Sequence, residues 1–376
     1  MLGRNNYSGV KGGNIMKKTI LRILGGIILN ILLVVFLTSC GGGGSSESSS
    51  NNKTATITGT VAGTVVVAVD ENDKEIDRDT ATGTPKTFTL TVPIGHYYRF
   101  YFIENDGTSD VKICPLYQGS INVFFINTPV IIDLGFVDTS TGIAIPTNNP
   151  LEQGAIDGGE NTSVPYKLAL AGTWEVNSLA SGPGAPWWLR GPITVCSNGS
   201  VSGVLEEYES DPDVISAVVS ISTDGIITCT DMSTYRGHMD AGKTVIVGTS
   251  NWTTGSPGTT EISIWTKKGD SYSLADLAGT WEVNSLASGP GAPWWERGPI
   301  TIDSNSSFSG TLTQSDGSLD NVSGTLNITA DGIITMTGND EDLRCSMDAG
   351  KTVVVCTSTW TTGSPGTTEI KVITKR

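Results

Sequence analysis

The chain has 376 residues with 38 acidic against 23 basic side chains, two histidines, six cysteines and 46 glycines, for a net charge of −15. A surface this acidic repels phosphate backbones and anionic lipids, which excludes nucleic acid as a partner. The two histidines, His96 and His238, lie far apart in the sequence, so no Ser-His-Asp or Cys-His constellation can be assembled and an enzyme is not expected.

Residues 1–39 carry Lys17, Lys18 and Arg22 ahead of an apolar run from Ile23 to Leu37 that no acidic residue interrupts, and "MKKTILRI" makes Met16 a better start than Met1. The run closes on "LTSC", which resembles the lipobox of bacterial lipoproteins. The resemblance implies cleavage before Cys40, lipid attachment to that cysteine and membrane contact through the lipid. Gly41 at the following position implies sorting to the outer rather than the inner membrane. Removing residues 1–39 takes five basic and no acidic side chains, leaving 18 basic against 38 acidic groups and a net charge near −20. "GGGGSSESSSNN" then makes residues 40–53 a flexible tether.

Residues 54–145 read as an all-β unit, since "TATITGTVAGTVVVAVDEN", "KTFTLTVPIGHYYRFYFIE" and "INVFFINTPVIIDLG" are strand pairs parted by turn residues. Their order resembles the carboxypeptidase-regulatory-like or transthyretin-like β-sandwich, which implies a spacer or adhesion module. The acidic run Asp70 to Asp79 lacks the spacing and central glycine of an EF-hand loop and reads as a solvated hairpin. Residues 146–167 read as a linker.

The remainder is a tandem repeat. "AGTWEVNSLASGPGAPWW" at 171–188 recurs at 278–295, "MDAGKTV" at 239 recurs at 347, and "WTTGSPGTTEI" at 252 recurs at 360. Two domains follow, 168–268 and 269–376. In the first copy, runs near 172–180, 192–196, 201–206, 214–222, 226–230, 235–239, 244–250 and 260–267 predict eight strands joined as neighbours, with tight turns at Asn198-Gly199 and Asp224-Gly225. Such a meander closes on itself to remove its edges, so the chain is expected to be all-β, with a sandwich followed by two antiparallel barrels. "GTW" at 172–174 and 279–281 stands at the start of the first strand and resembles the G-x-W motif of lipocalin-like barrels. That resemblance implies a long first loop over an open mouth, here "SGPGAPWW".

Two sets of candidate residues remain. Cys196 with Cys229, and Cys345 with Cys356, sit at non-equivalent places in the two copies, so each copy could hold its own bridge. For the second pair a two-residue turn puts both thiols on one face of the sheet, and a three-residue loop with a bulge at Gly350 puts them on opposite faces. Cys114 reads as a buried thiol. No C-x-x-C spacing appears, and neither a metal nor a cofactor is expected. Trp187, Trp188 and Arg190, with their copies Trp294, Trp295 and Arg297, are the candidate ligand-binding residues. Adjacent strand residues face opposite ways, so one ring of each pair plugs the barrel end while the other packs on a neighbour. Alternatively, the exposed indoles form a platform for a glycan or an apolar small molecule. The corresponding functions are a lipid-anchored envelope protein whose barrels are a recognition head, or a scaffold with filled barrels that contacts other envelope proteins.

Overall fold

The computed structural model describes residues 53–376 apart from Thr64, Glu209, Asp231, 254–256 and 338–342. The signal segment, Cys40 and its tether lie outside the described residues. Among the described residues no helix is long and apolar enough to cross a membrane.

The N-terminal unit consists of two sheets. The first has the order β4 (Thr87–Pro93), β1 (Thr54–Val61), β8 (Ile131–Asp138), β9 (Ile145–Pro146). The second has the order β10 (Ala155–Gly159), β7 (Val123–Ile126), β5 (His96–Glu104), β2 (Val65–Asp70), β3 (Glu75–Thr80), with β6 (Lys112–Pro115) also on β5. Strict alternation along β4 buries Phe88, Leu90 and Val92, which meet Val66, Ala68, Phe100 and Phe102 of the other sheet in one core. The stretch 146–167, expected as a linker, is not one. Its residues 155–159 form β10, which pairs antiparallel with β7 in a register set by Ala155 opposite Ile126. The strand is short and glycine-ended, so composition disguised it.

A one-turn helix, Tyr166–Ala169, then carries the chain into the first barrel. Leu168 packs into the outer face of the six-stranded sheet with Val67, Val69, Tyr101 and Ile103. Polar contacts flank this patch: Arg78 donates to the Ser197 hydroxyl at 2.7 Å, and Asp106 accepts from the Ser197 amide at 2.7 Å.

Both repeats are closed eight-stranded antiparallel meanders. The first runs β11 (Gly172–Ser181), β12 (Trp187–Val195), β13 (Ser200–Glu207), β14 (Asp213–Ile221), β15 (Ile226–Cys229), β16 (Arg236–Met239), β17 (Val245–Asn251), β18 (Thr260–Lys267), and β18 pairs back onto β11. The second runs β19 (Gly279–Ser288), β20 (Trp294–Ile302), β21 (Ser307–Gln314), β22 (Leu319–Ile328), β23 (Ile333–Thr337), β24 (Arg344–Met347), β25 (Val353–Thr359), β26 (Thr368–Lys375). The first connection is confined to 182–186, with Ala180 opposite Trp187, so the tryptophan pair begins a strand instead of ending a long loop.

The base of each barrel is sealed by the tryptophan of "GTW". Trp174 is fully buried and its indole N–H donates to the Leu170 carbonyl at 2.8 Å; Trp281 does the same to Leu277 at 2.6 Å. The Lys267 ammonium lies 5.5 Å from the Trp174 ring centroid and donates to the Ala169 carbonyl. Burial pulls the Lys267 pKa down from 10.5 to about 8. At pH 7 the ammonium is charged in both states and its burial is a cost. Above pH 8 the folded chain sheds a proton that the unfolded chain keeps until 10.5, so stability rises with pH across that window. In urea melts at pH 7 and pH 9, the wild type should gain about 1 kcal/mol over Lys267→Met. Equal pH slopes for the two proteins would contradict this.

The upper interiors differ. In the first barrel Tyr235 stacks on Trp265 with ring centroids 6.0 Å apart, and it lies so close to Gly248 that a Cβ there would sit 2.5 Å from its hydroxyl. In the second barrel leucine and isoleucine, Leu343 and Ile373, replace the rings, and Cys345 and Cys356 stand where the first barrel has Gly237 and Gly248. Cys345 and Cys356 oppose each other across β24 and β25, both face inward, and they form a disulfide. The connection is neither of the two expected turns: the Asp348 amide donates to the Val353 carbonyl at 2.9 Å across the four residues 349–352, with Lys351 at φ 58°, and the register sets Cys345 directly opposite Cys356 on one face.

Cys196 and Cys229 do not pair. Cys196 lies in the β12–β13 turn against Gly107 of the N-terminal unit, whereas Cys229 ends β15, and two strands separate them around the barrel. Cys114 is a buried free thiol, and burial raises its pKa to about 11.

Candidate functional site

Strand alternation splits the six sequence-nominated residues among three places. Along β12 and β20 the residues in step with Ile193 and Ile300, which belong to the barrel cores, point inward. That puts Trp187 and Trp294 at the inner rim of the mouths, and Trp188, Arg190, Trp295 and Arg297 on the outside. Trp188 is buried in the seam between the barrels, where its indole N–H donates to the Thr359 hydroxyl at 2.7 Å. The Arg190 guanidinium stacks 4.0 Å over that ring and pairs with Glu206 at 3.0 Å. Trp295 has Arg297 at 4.9 Å and is half-buried on the outer wall of the second barrel.

The mouths lie side by side. Pro186 packs against Gly289 so tightly that a Cβ there would lie 2.6 Å from the proline ring, and the Tyr208 hydroxyl reaches Gly366. At each rim a tryptophan from the "WTTGSPGTTEI" block completes an edge-to-face pair: Trp187 with Trp252 at 5.5 Å and Trp294 with Trp360 at 5.6 Å. Beneath them the indole N–H of Trp252 donates to Glu261 at 3.1 Å and that of Trp360 to Glu369 at 3.2 Å.

From this shared frame the copies diverge. In the second barrel Glu296 stands where the first has Leu189, Lys371 where it has Ser263, Gln314 where it has Glu207, and Ser315 where it has Tyr208. The result is a polar mouth, a cavity of about 300 Å³ lined by Trp294, Glu296, Gln314, Ser315, Asp316 and Trp360. The Gln314 amide donates to Glu296 at 3.0 Å, and Lys371 pairs with Glu369 at 3.1 Å. Burial pushes the Glu296 carboxyl above its ordinary range, against the pull of Lys371. Glu369 is fully buried, and its Oε1 has no hydrogen-bond partner while Oε2 takes the contacts described.

Such a mouth offers two indole walls, a buried carboxyl and a primary amide. These groups can stack on an apolar ring face and exchange hydrogen bonds with hydroxyls. Among the described residues no three His, Cys, Asp or Glu side chains gather closely enough to hold a metal ion. Sequence reasoning missed Trp252, Trp360, Glu296, Gln314 and Glu369. The repeated "WTTGSPGTTE" block was visible, and its tryptophan and glutamate were the available signal.

No protein-family profile and no curated protein matches the chain. Among solved structures, a protein of unknown function of the DUF3598 family from Nostoc punctiforme is 9% identical, covering 57% of this chain and 100% of its own, with a TM-score of 0.22. An agglutinin from Burkholderia oklahomensis is 10% identical, covering 57% and 99%, with a TM-score of 0.13. At these values neither likeness carries an argument about function.

Proposed function

We propose that this chain is a cell-envelope lipoprotein, held through lipid on Cys40 in the outer membrane, whose tandem lipocalin-like barrels bind a ligand and catalyse nothing. The N-terminal unit acts as a spacer of the transthyretin-like kind. The observation that carries the reading is the mouth of the second barrel, where Trp294 and Trp360 flank Glu296 and Gln314 around a cavity of about 300 Å³. Its chemistry suits a neutral saccharide: C–H faces stack on indole, and hydroxyls reach the carboxyl and amide.

The test is a titration of the mature, lipid-free chain with neutral mono- and disaccharides, read by tryptophan fluorescence and calorimetry. Saturable binding should weaken about tenfold or more in Trp294→Ala and Trp360→Ala, a loss of about 1.4 kcal/mol. It should weaken less in Glu296→Gln and hold in Trp252→Ala. A folded chain that binds none of these sugars would overturn the reading.

That outcome would favour a second reading, an envelope scaffold that contacts other envelope proteins. The filled interiors support it: Trp174, Ile193, Leu205, Tyr235 and Trp265 occupy the first barrel, and Trp281, Ile300, Phe308, Leu312 and the cystine occupy the second. Nothing larger than a mouth-bound group fits barrels so packed.

A further inference from the structure

The two barrels dock through different faces, although each carries both. The first presents the outward residues of β11, Glu175, Asn177 and Leu179, with Trp188 beside them. The second receives them on β24, β25 and β26. The Asn177 amide donates to Ser346 at 2.9 Å, Trp188 donates to Thr359 at 2.7 Å, and Arg344 reaches Glu175 at 3.3 Å. Leu179 and Ile264 close against Val355 and Ile370 in one buried apolar cluster. Such an interface is heterologous, and it leaves one unused half at each end of the tandem.

The unused halves are open on β19 and on β16–β17, whereas β18 and β26, which border both halves, already pack in the existing seam through Ile262, Ile264, Ile370 and Val372, and Glu282 already pairs with Arg376. The presenting residues recur on the second barrel as Glu282, Asn284, Leu286 and Trp295, and Leu286 is 48% exposed where Leu179 is 4% exposed. The receiving residues Arg344, Val355 and Thr357 recur on the first barrel as Arg236, Val247 and Thr249, and Val247 is 47% exposed where Val355 is fully buried. At the two positions that differ, His238 replaces Ser346 and Asn251 replaces Thr359. Each newcomer still offers an acceptor, for the Asn284 amide and the Trp295 indole N–H respectively.

We infer that the β19 face of the second barrel docks on the β16–β17 face of the first barrel of another copy of this chain, repeating between molecules the contact made within one. This side-wall contact is independent of the saccharide reading, which concerns the mouth. Because the halves are unlike, association runs head to tail.

Sedimentation of the mature chain across about 1–500 μM, a span that brackets micromolar affinity, should show mass rising with concentration. Leu286→Asp and Val247→Asp, both at half-exposed positions, should each hold the chain monomeric. Mixed together they should form a dimer and nothing larger, since each retains the half the other lacks. That mixed dimer also shows both variants to be folded. A wild type monomeric throughout, or self-association that both substitutions leave intact, would overturn the inference.

Discussion

Trp281→Ala should destabilise the second barrel by about 3–5 kcal/mol, the range for truncating a fully buried tryptophan. Three losses combine. The indole is fully buried at the barrel base, its removal leaves a void in the buried cluster of the second barrel, and the Leu277 carbonyl loses a donor at 2.6 Å. The Lys375 ammonium, 5.3 Å from the ring centroid, loses its cover as well. Hydrogen exchange on the whole chain should show protection falling through β19, β20 and β26 while β1–β10 keep theirs. Trp281→Phe, which refills much of the void, should cost less than half as much. Trp295→Ala, on the outer wall, should cost under about 1 kcal/mol. Equal effects at Trp281 and Trp295 would contradict the base-seal account.

Removing the disulfide should have the next largest effect. Cys345 and Cys356 are 11 residues apart, and closing a loop of that size restricts the unfolded chain by about 2–3 kcal/mol. The double substitution Cys345→Ala with Cys356→Ala, or reduction by a strong thiol, should therefore lower the second barrel's stability by that amount. The first barrel should not respond, because Cys196 and Cys229 are free thiols there. Restoring the first barrel's solution is informative: glycines at both positions with Leu343→Tyr and Ile373→Trp should recover part of the loss by packing, without a covalent bond. Denaturant melts with and without reductant separate the two contributions. If reduction shifts both barrels alike, the assignment of the bridge fails.

The architecture was legible because its signals are local and repeated. Identical blocks set the domain count, and Asn-Gly and Asp-Gly turns marked hairpins, with Gly199 and Gly225 indeed at φ 92° and 84°. Features that depend on a partner were not legible. Leu179 and Leu286 have the same neighbours in sequence, yet one is buried by the other barrel and the second faces solvent, a difference no local pattern contains. The face shared by Cys345 and Cys356 turned on the length of the connection, four residues between Asp348 and Val353, which the sequence left open. β10 hid in glycine-rich sequence because pairing with β7, not its own composition, makes it a strand. The tryptophan pairs drew attention as one motif, although strand alternation sends their members to separate surfaces.

Closure of each barrel by its first and last strands has a mechanical consequence. The chain enters the first barrel at Gly172 and leaves at Lys267, and Trp174 lies directly opposite Lys267. Entry and exit are thus neighbours at one end of an antiparallel seam. Tension passed along the chain loads the hydrogen bonds of that seam one after another, as a zip is opened, not all together as in shear. A molecule held at its N-terminus and gripped near its C-terminus would load the β11–β18 and β19–β26 seams in this way, since Trp281 lies opposite Lys375 as Trp174 lies opposite Lys267.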